Sequence, residues 1–171
     1  MAVNKQIDIL IDKLTRSIEN AISGDSFKTE IILITSKDFK VLKKEDWFFD
    51  WKTETGNNGK FVYKLVITDN PTIIQGLISV QDKGDHIYMH LIESSKFNRG
   101  AKKVYLGVPA NLVSFACKLS FEKGYQGVIS FESKTKLIDH YQKTLGARLL
   151  FGNIMAVDTK AATKLINLYF Q

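Results

Sequence analysis

The chain has 171 residues, of which 44% are apolar and 25% charged, a composition that suits an ordinary globular protein with a core of its own. No stretch reaches the run of about 20 apolar residues that a membrane helix needs, and the N-terminus lacks a secretory pattern. A single cysteine, Cys117, excludes an internal disulfide and a cysteine-based zinc site, so we expect a reducing, cytoplasmic setting.

The charge balance is basic, with a formal net charge of +6 and an isoelectric point near 9.3. Such a balance favours anionic partners, for example nucleic acid, a nucleotide or a phosphorylated cofactor. The lysines are dispersed along the chain, however, so a moderately basic surface without a specific partner is the simpler interpretation.

The first third of the chain predicts a helix, a strand and a mixed segment. Residues 4–23 carry apolar residues at spacings of three and four, which predicts an amphipathic helix, and Gly24 suits its end. Residues 29–36, TEIILITS, are rich in β-branched side chains and predict a strand. Residues 37–50, which include two adjacent phenylalanines and a tryptophan, predict a partly helical segment.

The rest of the chain predicts an antiparallel meander and then alternating helices and strands. Strands are expected at 60–68, 72–81 and 86–94, because the turn signals DNP and DKGD separate three apolar runs. Helices are expected from 112 to about 124, over 133–146 and over 160–170, with strands at 127–131, 147–152 and 153–159. The pattern is that of a mixed α/β protein.

A loop at YLGVPANL has the form of an anion site, because a short strand runs through Gly107 into a helix. The first N–H groups of a helix have no internal partner, and the helix dipole favours negative charge there. A P-loop is excluded, because no Gly-Lys-Ser/Thr follows, and the dinucleotide fingerprint is excluded by its missing glycines.

These residues resemble the GNAT superfamily of acyl-CoA-dependent N-acyltransferases. In that family a sheet strand holds the pantetheine arm, and a Q/R-x-x-G-x-G/A loop binds the pyrophosphate at the start of a long helix. Here HIYMHLIES (86–94) is similar to that strand and GVPANL (107–112) to that loop. KLIDHYQKTLGARLL (136–150) resembles the later helix, in which Tyr141 would lie near the acyl sulfur.

The sequence departs from the family pattern at several positions. Val104 stands at the arginine or glutamine position, and Pro109 replaces the second glycine, which removes one N–H donor. We expect Pro109 in the first turn of the helix, where its fixed φ is favourable. Lys134 replaces an asparagine and would instead reach a phosphate of the cofactor.

The resemblance implies an α/β fold with a mixed, mostly antiparallel central sheet flanked by helices. It implies one domain over 1–171, to which 1–24 add an N-terminal helix. The implied acyl donor is acetyl-CoA, and no metal is expected. The implied cofactor-binding residues are Leu91, Ile92, Glu93, Gly107, Val108, Ala110, Asn111 and Lys134.

Two side chains are candidates for the chemistry of amide formation. By the resemblance Tyr141 would protonate the departing thiolate, but the same stripe of apolar neighbours is equally typical of a core tyrosine. Glu93, at the end of the proposed central strand, would take the proton of the amine; a solvated charge at a strand end is the alternative. The aromatic residues Trp47, Phe48, Phe49 and Trp51 are interpreted as core or as a wall of the acceptor pocket.

The expected function is transfer of an acetyl group to a primary amine of a small molecule or a protein. Two alternatives stay open. One is a non-catalytic GNAT-fold binding module, which the departures from the family loop at Pro109 and Val104 favour. The other is a toxin-type enzyme that acetylates charged tRNA. RNA is therefore a possible partner, a membrane is not expected, and a homodimer through the first helix stays open.

Overall fold

The computed structural model describes residues 6–14 and 17–170. The strands are β1 (Ile18–Asn20), β2 (Ser26–Phe27), β3 (Thr29–Leu33), β4 (Lys60–Ile67), β5 (Gly76–Asp82), β6 (Ile87–Ser94), β7 (Tyr105–Leu106), β8 (Ile129–Glu132), β9 (Arg148–Phe151) and β10 (Ile154–Val157). The helices are α1 (Trp51–Gly56), α2 (Val108–Glu122), α3 (Ile138–Leu145) and α4 (Thr159–Tyr169). Short 3₁₀ turns precede α1, follow β6 and precede α3.

A seven-stranded sheet in the order β3-β4-β5-β6-β8-β10-β9 forms the centre of the molecule. Its neighbours pair antiparallel, except that β6 and β8 run parallel. The three shortest strands form a separate sheet in the order β2-β1-β7. The predicted fold class, a mostly antiparallel sheet flanked by helices, is confirmed.

The two faces of the sheet are covered by different elements. On one face α2 and α4 pack over a core that includes Ile78, while Leu77, the next residue of β5, contributes to a smaller core with Trp47 and Trp51 on the other face. The helix α2 lies very close to β5, since a Cβ atom on Gly76 would stand 2.7 Å from the Cγ1 atom of Val108. Glycine at this position therefore sets how closely the helix approaches the sheet.

The strands β6 and β8 pair only at their beginnings. The paired residues run from Ile87 to Met89 on β6 and from Ile129 to Phe131 on β8. Past Met89 the register between β5 and β6 shifts by one residue, the mark of a β-bulge at His90. Because a bulge bends its strand, β6 leaves β8 beyond this point and a gap opens in the middle of the sheet.

The predicted N-terminal helix is wrong for the residues that the structure describes. Residues 6–14 and 17–24 contain no helix, and the chain is extended from 7 to 12, here called the N-terminal segment. Ile7 and Ile11 are buried, Ile9 is half-buried, and the residues between them are exposed. The reason is that three isoleucines at alternate positions fit an extended strand beside a sheet, where their β-branched side chains pack well.

Candidate functional site

The N-terminal segment lies in the gap between β6 and β8. Near the start of β8 the carbonyl of Val128 accepts a hydrogen bond from the amide of Ile87 on β6, at 3.2 Å. Farther along the same edge, the carbonyl of Glu132 accepts from the amide of Ile7 at 2.6 Å. The amide of Lys134 in turn donates to the carbonyl of Ile7 at 3.1 Å. The segment therefore replaces β6 as the partner of β8 where β6 bends away.

Tyr141 is held in this gap by α3 and has its hydroxyl group against the N-terminal segment. The side chain is 1% exposed, and its ring meets the ring of Phe131 edge to face at 5.4 Å between centroids. Its hydroxyl donates to the carbonyl of Ile9 at 2.6 Å and accepts from the amide of Ile9 at 3.0 Å. Burial raises the pKa of the Tyr141 phenol, so this group keeps its proton at neutral pH.

At the other end of the segment lies the start of α2. Gly107 caps this helix with a φ of +93°, a conformation that other residues rarely adopt. Its amide donates to a carboxylate oxygen of Asp12 at 3.1 Å, and the ammonium group of Lys103 contacts the other oxygen at 3.0 Å. An anion is thus bound at the loop where the sequence predicts one, and the anion is a side chain of the same protein.

The first turn of α2 also differs in detail from the expected pyrophosphate loop. Pro109 lies in that turn, as expected from its fixed φ. The amide of Asn111 donates to the carbonyl of Gly107 at 3.0 Å, which is the first bond within the helix, and its side-chain amide donates to Thr29. The backbone N–H of Asn111 is therefore taken by the helix, whereas those of Val108 and Ala110 precede the first bond of the helix.

Lys134, expected to reach a phosphate, contacts a carboxylate of the N-terminal segment instead. Its ammonium group is 2.7 Å from the carboxylate of Asp8. Together with the contact between Lys103 and Asp12, this gives each of the two acidic residues of the segment a cationic partner. The segment thus pairs with two lysines, one near each of its ends.

Glu93, the residue predicted to act as a base, is buried and surrounded by donors. Its carboxylate accepts from the amides of Phe48 at 2.8 Å and Phe49 at 3.2 Å. It also accepts from the indole of Trp51 at 2.9 Å and from the guanidinium of Arg99 at 3.3 Å. Three of the four donors hold the residues before α1 and the first residue of α1 against the end of β6. This arrangement is typical of a positioning residue.

A cavity of about 490 Å³ separates Glu93 from the N-terminal segment. Its walls are formed by Asp8, Ile9, Leu10, Phe48, Phe49, Ile92, Glu93, Ser94, Asn98, Arg99, Gly100, Lys103 and Pro109. The guanidinium of Arg99 stacks over the Phe48 ring at 4.5 Å, so that one wall is both cationic and aromatic. Leu91, predicted to hold a cofactor beside Ile92, has its side chain in the smaller core.

Three contributors to this site were missed by sequence reasoning: Asp8, Asp12 and His140. The ring of His140 accepts a hydrogen bond from the amide of Ile11 at 2.8 Å through Nε2. The only available signal was the alternation Ile-Asp-Ile-Leu-Ile-Asp at 7–12, which a period-two reading would have assigned to a strand.

Other candidate chemistry is not supported around this site. Cys117 is buried in α2, as expected for a small core residue, and burial raises the pKa of its thiol. Among residues 6–14 and 17–170, no three metal-ligating side chains gather in one place. The helices of this described part are too short or too polar to cross a membrane.

Several solved acetyltransferases have the same fold. AtaTR bound with AcCoA superimposes with a TM-score of 0.55 and 14% identity, over 81% of this chain and 98% of that one. A spermidine N-acetyltransferase SpeG chimera from Vibrio cholerae and hSSAT gives 0.55 and 11%, over 80% and 99%. A GNAT-family acetyltransferase from Staphylococcus aureus Mu50 gives 0.52 and 12%, over 77% and 99%.

By sequence alone, no family model matches this chain and no curated protein is similar to it. The likeness is therefore one of structure, and it extends over nearly the whole of each neighbour. The parting of two parallel strands at the centre of the sheet, with a helix N-terminus beside it, agrees with the resemblance noted in the sequence. The chain has the fold of the GNAT acetyltransferases.

Proposed function

We propose that the protein is an N-acyltransferase that transfers an acetyl group from acetyl-CoA to a primary amine. The observation that supports this most is the buried Tyr141 hydroxyl in the gap between β6 and β8, with the N-terminus of α2 at one end of the same gap. The solved structures of similar fold include one with AcCoA and one with CoA bound, which supports the choice of donor.

In this proposal the amine nitrogen attacks the thioester carbonyl directly, so that a C–N bond forms and the C–S bond breaks. The thiolate of CoA leaves and takes the proton of the Tyr141 hydroxyl, because a phenol is protonated at neutral pH and can act as a general acid. The phenolate is then reprotonated from solvent, to which the ammonium ion formed on attack releases its proton. The pantetheine arm would lie along Ile92 of β6, and the pyrophosphate would take the place of the Asp12 carboxylate at Gly107.

The role of Glu93 as base stays a prediction, and the contacts favour a different role. Each oxygen of the carboxylate accepts two hydrogen bonds, so at least one donor would have to leave before the carboxylate accepted a proton. We therefore assign Glu93 to positioning Phe48 and Phe49, which line the cavity. The cavity, with its aromatic and cationic wall, is the candidate acceptor site.

Thermal unfolding with and without acetyl-CoA tests whether the protein binds this acyl donor. A ligand bound only to the native state, at about 100 times its Kd, adds roughly 2.7 kcal/mol of stability. We expect acetyl-CoA to raise the unfolding midpoint of the wild type and of Gly84→Glu, but not of Gly107→Glu. Gly84 is the matched control, because it also has a positive φ, 89° against 93°, and lies in the turn between β5 and β6.

Turnover tests the chemistry. Release of free CoA thiol is followed with a panel of amines that includes spermidine, a lysine peptide and an aminoacyl-tRNA. We expect Tyr141→Phe to lower kcat by about 100-fold for the amine that is used, the usual contribution of general acid catalysis. Unchanged kcat in that variant would remove Tyr141 from the mechanism.

A second candidate function, a non-catalytic module with the GNAT fold, is favoured by one observation. The hydroxyl of Tyr141 and the amide of Gly107 are both bound by the protein's own N-terminal segment. If acetyl-CoA raises the midpoint of neither the wild type nor a variant with a weakened segment, we would adopt this second function.

A further inference from the structure

The N-terminal segment contacts the gap at both ends and in the middle. Ile7 pairs with the edge of β8, Ile9 bonds with Tyr141, and Asp12 bonds with Gly107. A separate bond joins the amide of Ile11 to His140. These contacts come from three elements that are distant in sequence, so the segment is bound along its length in one extended conformation.

The chemistry of these contacts follows that expected for an acyl-CoA. The backbone of the segment bonds with the edge of β8, across the gap from the β6 strand along which a pantetheine arm would lie. A carboxylate lies on the backbone N–H at the start of α2 and on Lys103, where a pyrophosphate would lie. The carboxylate of Asp8 neutralises Lys134, the other lysine at the gap.

We propose that the N-terminal segment is an intramolecular competitor of acyl-CoA, which occupies the cofactor groove and must leave before the cofactor enters. This inference rests on the proposed function, because it needs a cofactor for the groove. The two occupants exclude each other, since the Gly107 amide and the Tyr141 hydroxyl serve one partner at a time. The apparent affinity for acyl-CoA is therefore the intrinsic affinity reduced by the fraction of molecules whose segment has left.

Ile7 and Ile11 attach the segment to the core, whereas its outward side is weakly held. Its outward residues Asp8 and Leu10 are exposed, and Leu10 is 61% accessible to solvent. Its ion pairs are with lysines on the rim of the groove, whose side chains remain partly in solvent and lose little when they exchange one anion for another. An anion of higher charge in the place of Asp12, such as the pyrophosphate of CoA, would interact more strongly with Lys103.

Calorimetric titration of the full chain with CoA measures the competition. We expect Asp12→Ala to bind CoA at least tenfold more tightly than the wild type, a difference of about 1.4 kcal/mol. Asp38→Ala is the matched control, because Asp38 forms a comparable ion pair with Lys64 on the far part of the sheet, away from the groove. That variant loses a similar contact, and its CoA affinity should equal that of the wild type.

Hydrogen exchange provides a readout that does not depend on any variant. The amides of Ile9 and Ile11, protected by Tyr141 and His140, should exchange at least tenfold faster when CoA saturates the wild type. Amides of the central sheet, such as that of Ile78, should not change.

The outcomes separate the two proposals. Tighter binding by Asp12→Ala together with faster exchange at Ile9 and Ile11 supports the competition. If CoA binds the wild type and Asp12→Ala equally, and the two amides keep their protection, the competition is overturned while the proposed function stands. If CoA binds neither protein, both proposals fail, and the segment is a permanent part of the sheet.

Discussion

Glu93 and Tyr141 are both buried polar side chains beside the gap in the sheet, yet they are satisfied in different ways. The Glu93 carboxylate is bound by the amides of Phe48 and Phe49, by Arg99 and by the indole of Trp51, which is buried in the smaller core. The Tyr141 hydroxyl bonds with the backbone of Ile9, which is part of one extended segment. The first site is scaffold, whereas the second is a contact that a ligand of similar shape can replace.

The largest loss of stability should come from a substitution of Glu93. Glu93→Gln removes the charge that faces Arg99 and places an amide among N–H donors. We expect a loss of about 3 kcal/mol in the free energy of unfolding, as for other broken buried ion pairs. Urea denaturation measures it, with Glu45→Gln as an exposed control that should change stability by less than about 0.5 kcal/mol. A loss below about 1 kcal/mol in the free energy of unfolding would mean that Glu93 is no more important to the folded core than Tyr141.

Tyr141→Phe tests the contact that a ligand can replace. The substitution removes one donor and one acceptor from Ile9 and leaves the ring in place. We expect a loss of about 2 kcal/mol in the free energy of unfolding by urea denaturation, smaller than that of Glu93→Gln. A saturating acyl-CoA should reduce this loss, because the segment no longer bonds with the hydroxyl in the bound state. If CoA leaves the loss unchanged, the hydroxyl contact is scaffold as well.

The pH dependence of stability sharpens the same comparison. Burial raises the pKa of Tyr141 above its ordinary value of 10.0, so above that pH the unfolded chain loses a proton that the folded protein retains. Stability is therefore fully present below pH 10 and falls as the pH rises further. We expect the wild type to lose about 1.4 kcal/mol more than Tyr141→Phe between pH 9 and pH 11, measured by urea denaturation at each pH. If the stabilities of the wild type and Tyr141→Phe fall equally with pH, the Tyr141 phenol is not held protonated by burial.

His140 gives the smallest expected effect. His140→Leu removes the acceptor for the amide of Ile11, while His140→Gln keeps one. We expect a loss of about 1 kcal/mol for the first variant and less for the second, as for one neutral hydrogen bond. Exchange of the Ile11 amide should rise in the leucine variant alone. Equal exchange in both variants would show that this bond does not hold the segment.

Much of the fold could be predicted from the sequence because its signals are local. The turn chemistry around Pro71 and Gly84 separates three strands, and Gly124 and Gly146 follow the ends of two helices. Of the small sheet only β7, the short strand before Gly107, was predicted; β1 lies within the predicted helix, and β2 has two residues and carries no periodicity. The N-terminal helix was wrong because isoleucines at 7 and 11 fit a period of four as well as a period of two.

The site could be predicted only in its position. Gly107 and the helix after it predicted an anion site, and an anion lies there, but the sequence gives no sign that it is Asp12, 95 residues away. The donors that surround Glu93 come from 42 to 45 residues earlier in the chain. Such pairings depend on the register of the whole sheet, which no local pattern records.

The contact between Ile9 and Tyr141 spans 132 residues, and Ile9 is synthesised well before α3. During synthesis the N-terminal segment therefore cannot form these contacts until β8 and α3 have emerged from the ribosome. Long-range contacts of this kind form late, after the entropy of closing a long loop has been overcome. The nascent protein thus passes through a stage in which the rest of the sheet can be formed while its central groove is still open.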